Sequence, residues 1–226
     1  MSIRPRRSAR LTPRLAFDLS LYLVIGPDVT AGRDVTSVAL AAVRGGATMV
    51  QLRYKAGASE VMQSAREVIE VLRPTGVPVI INDRIDLARA LGAQGVHLGQ
   101  DDAKPSEARN LLGDDAIVGL SITAPGQLAA VDPSVVDYLG VGPVFDTPSK
   151  PDAASPLGLE TLSQITRSVR LPVAAIGGVT EATAAAVIRA GADGLAVISA
   201  ICGADSPEEA ARALVARIDE ARSGPR

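Results

Sequence analysis

A chain of 226 residues, 47% hydrophobic and 21% charged, is long enough to bury one large core and suits a single α/β domain. A net charge of −2 and an aromatic content of 2% give no reason to expect nucleic acid, which calls for a positive field and stacking platforms; no apolar run nears the ~20 residues of a membrane span. The one cysteine, Cys202, forbids an internal disulfide and reads as a small core residue in a reducing, cytoplasmic setting.

Residues 1–20 differ from the rest. Arg4, Arg6, Arg7, Arg10 and Arg14 face one acid, Asp18, so this stretch reads as a poorly ordered basic N-terminal extension rather than a transit peptide or docking arm. The domain is expected over 21–226. Leu21 to Ile25 is the first strand, and Asp34 to Arg44 a helix ended by Gly45 and Gly46. Ala47 to Arg53 is the second strand, followed by a helix from Ser59 to Leu72 that stops before Pro74. Pro78 to Ile81 is short, apolar and β-branched, as suits a strand buried on both faces. A helix carrying Leu87, Ala88 and Leu91 stops at Gly92, and Gly95 to Leu98 is the fourth strand. Pro105 to Leu112 is helical. Ala116 to Ser121 is the fifth strand, Pro125 to Val131 a weak helix, and Val136 to Val141 the sixth strand. Leu159 to Ser168 is helix, Pro172 to Ile176 strand, Glu181 to Ala190 helix, Gly194 to Ile198 strand, and Pro207 to Ala221 the closing helix. Gly-Ala precedes a strand at Gly46, Gly92 and Gly191, where a helix must turn tightly into the next strand. Eight strand and helix units in one domain predict a (β/α)8 TIM barrel, with a doubly wound open sheet as the competing architecture.

Barrel enzymes place their sites at the C-terminal ends of the strands. There the second strand carries Gln51, Arg53 and Lys55, which share parity and so one side of an extended chain. The third ends in Asn82 and Asp83, and the fourth leads to Asp102. Because consecutive parallel strands joined by a helix are usually neighbours, Asp83 and Asp102 are expected to meet. Ser121 ends the fifth strand, and Thr147, Ser149 and Lys150 follow the sixth. Gly178 follows the seventh, and Ile198 and Ser199 end the eighth. Two carboxylates without a His or Cys partner suit Mg²⁺, which takes oxygen ligands. The cations around them suit a diphosphate, and the turns after strands seven and eight are where barrels commonly bind a phosphate. His97, the one histidine, lies among apolar neighbours and reads as a satisfied interior residue. No nucleophilic triad or zinc constellation is evident.

The runs QLRYK at 51–55, INDRIDLA at 81–88, GVHLGQDD at 95–102, GVGPVFDTPSK at 140–150, AIGGV at 175–179 and AGADGLAVISAI at 190–201 closely resemble the thiamine-phosphate synthase family in order and spacing. The resemblance implies a TIM barrel that joins an aminopyrimidine methyl diphosphate to a thiazole phosphate with release of diphosphate. The implied mechanism is dissociative and Mg²⁺-assisted, with a pyrimidine methyl cation as intermediate. By position, Gln51, Arg53, Lys55, Asn82, Ser121 and Lys150 match the family's pyrimidine-diphosphate contacts, with Arg53, Lys55, Ser121 and Lys150 as its catalytic groups. Asp83 and Asp102 match its Mg²⁺ ligands. Thr147, Pro148, Ser149, Gly178, Ile198 and Ser199 match its thiazole-phosphate site. Three positions depart from the family's usual pattern: Ser149 stands for Thr, Asp146 for Pro, and Thr123 for His. The expected partners are small phosphorylated molecules, with self-association into a homo-oligomer left open. The alternatives are a thiazole tautomerase-like barrel isomerase, which has no use for a Mg²⁺-diphosphate clamp, and a non-catalytic thiamine-phosphate-binding barrel, which Asp146 and the ITAPGQ stretch after Ser121 leave open.

Overall fold

A closed parallel barrel turns every second residue of each strand inward and the others toward the helices. The computed structural model, which describes residues 16–54, 58–147, 149 and 154–224, obeys that alternation throughout. Among the described residues, the strands are β1 (Leu21–Ile25), β2 (Met49–Leu52), β3 (Val79–Asn82), β4 (Gly95–Leu98), β5 (Ile117–Ile122), β6 (Tyr138–Val141), β7 (Val173–Ile176) and β8 (Gly194–Val197). They pair in chain order, all parallel, and β8 closes on β1 through the register Tyr22 to Ala196. The expected (β/α)8 barrel is therefore the observed one, and the open sheet is not.

Leu21, Leu23 and Ile25 on β1, with Val50 and Leu52 on β2, face outward into the shell between sheet and helices. Tyr22, Val24, Met49, Ile80, Ile117, Tyr138, Ala174 and Ala196 face inward and form a separate interior cluster. Burying one such side chain stabilises by about 1.5–3 kcal/mol, so a one-residue slip that swapped the faces would be costly along every strand.

The helices are α1 (Val35–Arg44), α2 (Ala58–Leu72), α3 (Ile85–Leu91), α4 (Pro105–Leu112), α5 (Gly158–Ser168), α6 (Glu181–Arg189), α7 (Ser199–Cys202) and α8 (Pro207–Ser223). Asp34 caps α1 by accepting the Ser37 amide at 2.7 Å, which satisfies one of the donors that a helix start leaves open. Two elements differ from the sequence reading. The weak helix expected after the fifth strand is a 3₁₀ turn at Pro125–Ala130; six residues containing Pro and Gly offer too short an apolar stripe for a full helix. The four-residue α7, directly after β8, has no periodic pattern to announce it.

The N-terminal floor of the barrel is sealed by residues that the composition assigns to the basic extension. Leu19 is buried, and the Phe17 ring lies 5.8 Å from that of Tyr138. Arg222 near the end of α8 donates to Ser20 Oγ at 2.9 Å and to the Asp193 carbonyl at 2.5 Å. Residues 1–15 lie outside the described residues.

Among the described residues, one ion pair is buried. Arg109 on α4 donates to Asp137 at 2.6 Å, with 7% and 5% of their side chains exposed. The same guanidinium satisfies the carbonyls of Gly113, Asp114, Ala116 and Val135, and Asp137 also accepts the Val118 amide. The pair therefore fastens the loops leading into β5 and β6. Removing one partner from such a pair leaves an uncompensated charge indoors and costs about 3–5 kcal/mol. Asp137→Asn is expected to lose stability on that scale in urea denaturation; a change below about 1 kcal/mol would show that the backbone carbonyls alone suffice to hold Arg109.

Candidate active site

Along the barrel axis the interior changes character. Near the floor the inward residues are Met49, Ile80 and Ile117; one inward position further on they become Gln51, Asn82 and Gly119, and then Arg53 and Ser121. The chemistry at the mouth thus follows from strand parity.

A cavity opens at this C-terminal rim. Gln51, Arg53, Asn82 and Ser121 line one part of it. Thr147, Ser149, Gly178, Ile198 and Ser199 line the other. Nine of the residues singled out in the sequence are thereby brought around one space. Lys55, Pro148 and Lys150 lie outside the described residues.

Asp83 and Asp102 are beside the cavity rather than on its described wall. Asp83 follows β3 with a left-handed φ of 61°, and its amide donates to the His97 carbonyl at 2.8 Å. Asp102 accepts the Gly99 amide at 2.6 Å. Both acids are thus anchored to the last turn of β4, on the same rim as the cavity. Among the described residues no group of three or more His, Cys, Asp or Glu is arranged to hold a metal.

Arg53 is 19% exposed and reaches Asp28 at 4.0 Å, a loose pair that orients the guanidinium without fully neutralising it. The β7 exit is shaped by close approach. Gly178 has φ 63°, and a Cβ there would lie 2.4 Å from the Asp146 carbonyl, so only glycine lets the loops after β6 and β7 touch. Arg33 braces α7 from beneath, donating to the Ala204 carbonyl at 2.8 Å and to the Cys202 carbonyl. It thereby satisfies acceptors at the C-terminal end of the turn that begins with Ser199.

Three residues that the sequence did not assign to the site form its base. Gln51 Nε2 donates to Tyr22 Oη at 2.7 Å, and Tyr22 Oη is 2.8 Å from Tyr138 Oη. Tyr138 Oη is 2.9 Å from His97 Nδ1, and His97 Nε2 is 2.9 Å from Ser121 Oγ. His97 is the satisfied interior histidine that its neighbours suggested, yet it also lines the cavity. Burial moves its imidazole from 6.5 down to about 4, partly offset by the negative charge of Asp102, so it is neutral at pH 7. Burial also raises both phenols above their usual range, so both remain protonated. Room for the stack comes from two glycines. A Cβ at Gly119 would fall 2.2 Å from Tyr138 Cζ, and one at Gly140 would fall 2.8 Å from His97 Cε1. That pair of inward glycines on adjacent strands was the one available sign that large side chains occupy the space between.

A single parallel barrel with hydroxyls, an arginine and glycine turns gathered at the C-terminal rim, and two acids beside them, has the layout of a barrel enzyme for phosphorylated small molecules. Comparison with known proteins narrows the class. Residues 21–201 match the family described as thiamine monophosphate synthase. The thiamine-phosphate synthase of Xanthobacter autotrophicus is 51% identical over 91% of this chain and 98% of its own, and that of Azorhizobium caulinodans is 47% identical over the same shares. The solved thiamine phosphate pyrophosphorylase of Pyrococcus furiosus superposes with a TM-score of 0.80 at 32% identity, covering 90% of this chain and 96% of that one. The chain belongs to the thiamine monophosphate synthase family.

Cys202 ends α7, the turn that begins at Ser199, fully buried, and burial pushes its thiol up to about 12. DTNB at pH 8 is expected to label the native protein far more slowly than the urea-unfolded chain; equal rates would mean that α7 opens readily under native conditions.

Proposed function

We propose that this protein is a thiamine-phosphate synthase, a transferase that joins an aminopyrimidine methyl diphosphate to a thiazole phosphate and releases diphosphate. The observation that carries the reading is the convergence of Gln51, Arg53, Asn82 and Ser121 with the Gly178 and Ser199 turns around one cavity, in a chain related to named synthases over nine tenths of its length.

The cavity's two parts suggest a division of labour. Gln51 and Asn82 would orient the pyrimidine ring through their amides, and Ser121 and Arg53 would hydrogen-bond the diphosphate oxygens. Lys55 and Lys150 join them by the family resemblance. The Gly178 and Ser199 turns, with Thr147, Pro148 and Ser149, would hold the phosphate of the thiazole and so set its ring nitrogen facing the pyrimidine methylene. The carbon–oxygen bond to diphosphate breaks, its electron pair leaves with the oxygen, and the thiazole nitrogen supplies the pair for the new carbon–nitrogen bond. Cations at the departing oxygens would favour the charge that develops there. The part of the wall formed by Val24, Ala174 and Ala196 is apolar and would limit access of water to the pyrimidine cation.

Asp83 and Asp102 fit a hard divalent cation by their donor chemistry: two carboxylates with no nitrogen or sulfur donor among them, anchored to neighbouring strand ends, leave the remaining positions to water and substrate oxygens. They would hold Mg²⁺, which when bound offsets charge on the diphosphate.

The testing experiment is an assay of the purified protein with both phosphorylated substrates. Thiamine phosphate and diphosphate are expected in equal amounts with Mg²⁺ and neither after EDTA. Conversion of a thiazole carboxylate phosphate that survives EDTA would point to an isomerase instead, and tight binding without turnover to a sensor. Asp83→Asn is expected to lower kcat by about 10²-fold or more with the fold intact; a wild-type rate would remove Asp83 from the reaction. Lys150→Ala is expected to raise KM for the diphosphate substrate and to leave that of the thiazole phosphate nearly unchanged, so equal effects on both would contradict its assignment.

A further inference from the structure

The chain of contacts from Gln51 through Tyr22, Tyr138 and His97 to Ser121 contains four groups that each both give and take hydrogen bonds: two phenols, one neutral imidazole and one serine hydroxyl. Each phenol has one proton, and the imidazole has one proton for two nitrogens. These counts restrict the directions available. With Gln51 Nε2 donating to Tyr22, the Tyr22 proton must go to Tyr138. The Tyr138 proton then goes to His97 Nδ1, and the imidazole proton, on Nε2, goes to Ser121 Oγ. Any reversal along the way leaves a phenol proton unpartnered, although Tyr22 is 1% and Tyr138 0% exposed, and an orphaned buried donor is unfavourable. Only one other arrangement satisfies every group. It requires the Gln51 amide to be turned over so that Oε1 accepts from Tyr22, and it reverses every bond down to Ser121.

We propose that this relay is polarised outward, so that Ser121 presents its hydroxyl proton to the cavity as a donor, and that the Gln51 amide, at the opposite end, sets the polarity. His97 and Tyr138 are then positioning residues, which pass the polarity on to Ser121; His97 itself also lines the cavity, whereas Tyr138 does not. The inference rests on the reading of the cavity as the site of an aminopyrimidine diphosphate and adds a coupling to it. As the amide stands, Gln51 Oε1 has no partner among the described residues and is not sealed from the cavity. An exocyclic amino group donating to Oε1 holds Nε2 toward Tyr22. That fixes the imidazole proton on Nε2 and leaves the Ser121 proton for an anionic oxygen. A ring that accepts at this position instead would favour the turned amide and withdraw the Ser121 donor. The relay thus ties recognition of an amino-bearing ring to readiness for its leaving group, through Tyr22, Tyr138 and His97.

The chain has one histidine, so nitrogen NMR of protein labelled in the imidazole reads the relay without overlap. In free wild type at pH 7 a proton-bearing Nε2 and an unprotonated Nδ1 are expected; the opposite tautomer would overturn the proposal. Gln51→Glu places only acceptors against Tyr22 and is expected to move the proton to Nδ1, and an unchanged tautomer there would show that Gln51 does not set the polarity. In kinetics, Tyr138→Phe is expected to lower kcat about tenfold with little change in KM, and to cost nothing further once Ser121→Ala is present. An equal loss in both backgrounds would mean that Tyr138 supports the fold alone. The spectra are taken on substrate-free protein, so an inactive wild-type enzyme would sink the substrate assignment while leaving the tautomer result to stand or fall by itself.

Discussion

The structure depends on the closure of β1 against β8. Until Tyr22 pairs with Ala196, the sheet has two open edges and its inner face is merely one surface among two. Once closed, the inward set of every strand is confined to a cylinder whose width the strand number fixes. Large side chains then fit only where neighbours give way, and Tyr138 and His97 occupy the middle of the barrel because Gly119 and Gly140 yield the volume. Ring closure therefore determines which residues face the cavity and what supports them from below.

This constraint explains what was legible in the sequence. Gln51, Arg53, Asn82 and Ser121 could be placed at the rim from strand parity and from the point where each apolar run ends, both local properties. Asp83 and Asp102 could be put on neighbouring strand ends because a parallel connection through one helix rarely skips a strand. The Tyr22 to Tyr138 contact spans 116 residues and exists only after closure, so no window of sequence contains it. His97 could be read as interior but not as a link between Tyr138 and Ser121, since its partners lie on β5 and β6. The α7 turn escaped because four residues carry no period, and Phe17 and Leu19 escaped because the arginines around them dominate the composition of that stretch.

The site is built from two kinds of scaffold. On the pyrimidine side the proposed contacts rise from strands and rest on a packed, hydrogen-bonded interior, so their positions are fixed by the core. On the phosphate side they come from turns: Gly178 held against Asp146, and Ser199 at the head of a short helix braced by Arg33. The proposed arrangement, with the ring on rigid strands and the phosphate on loops, would reconcile orientation with exchange.

The anchoring of α8 to the floor has a practical side. Arg222 grips Ser20 and the Asp193 carbonyl, so both described ends of the polypeptide emerge on the face opposite the opening. A neighbour joined directly at residue 16 or residue 224 would hang from the underside of the barrel and leave traffic through its mouth unhindered.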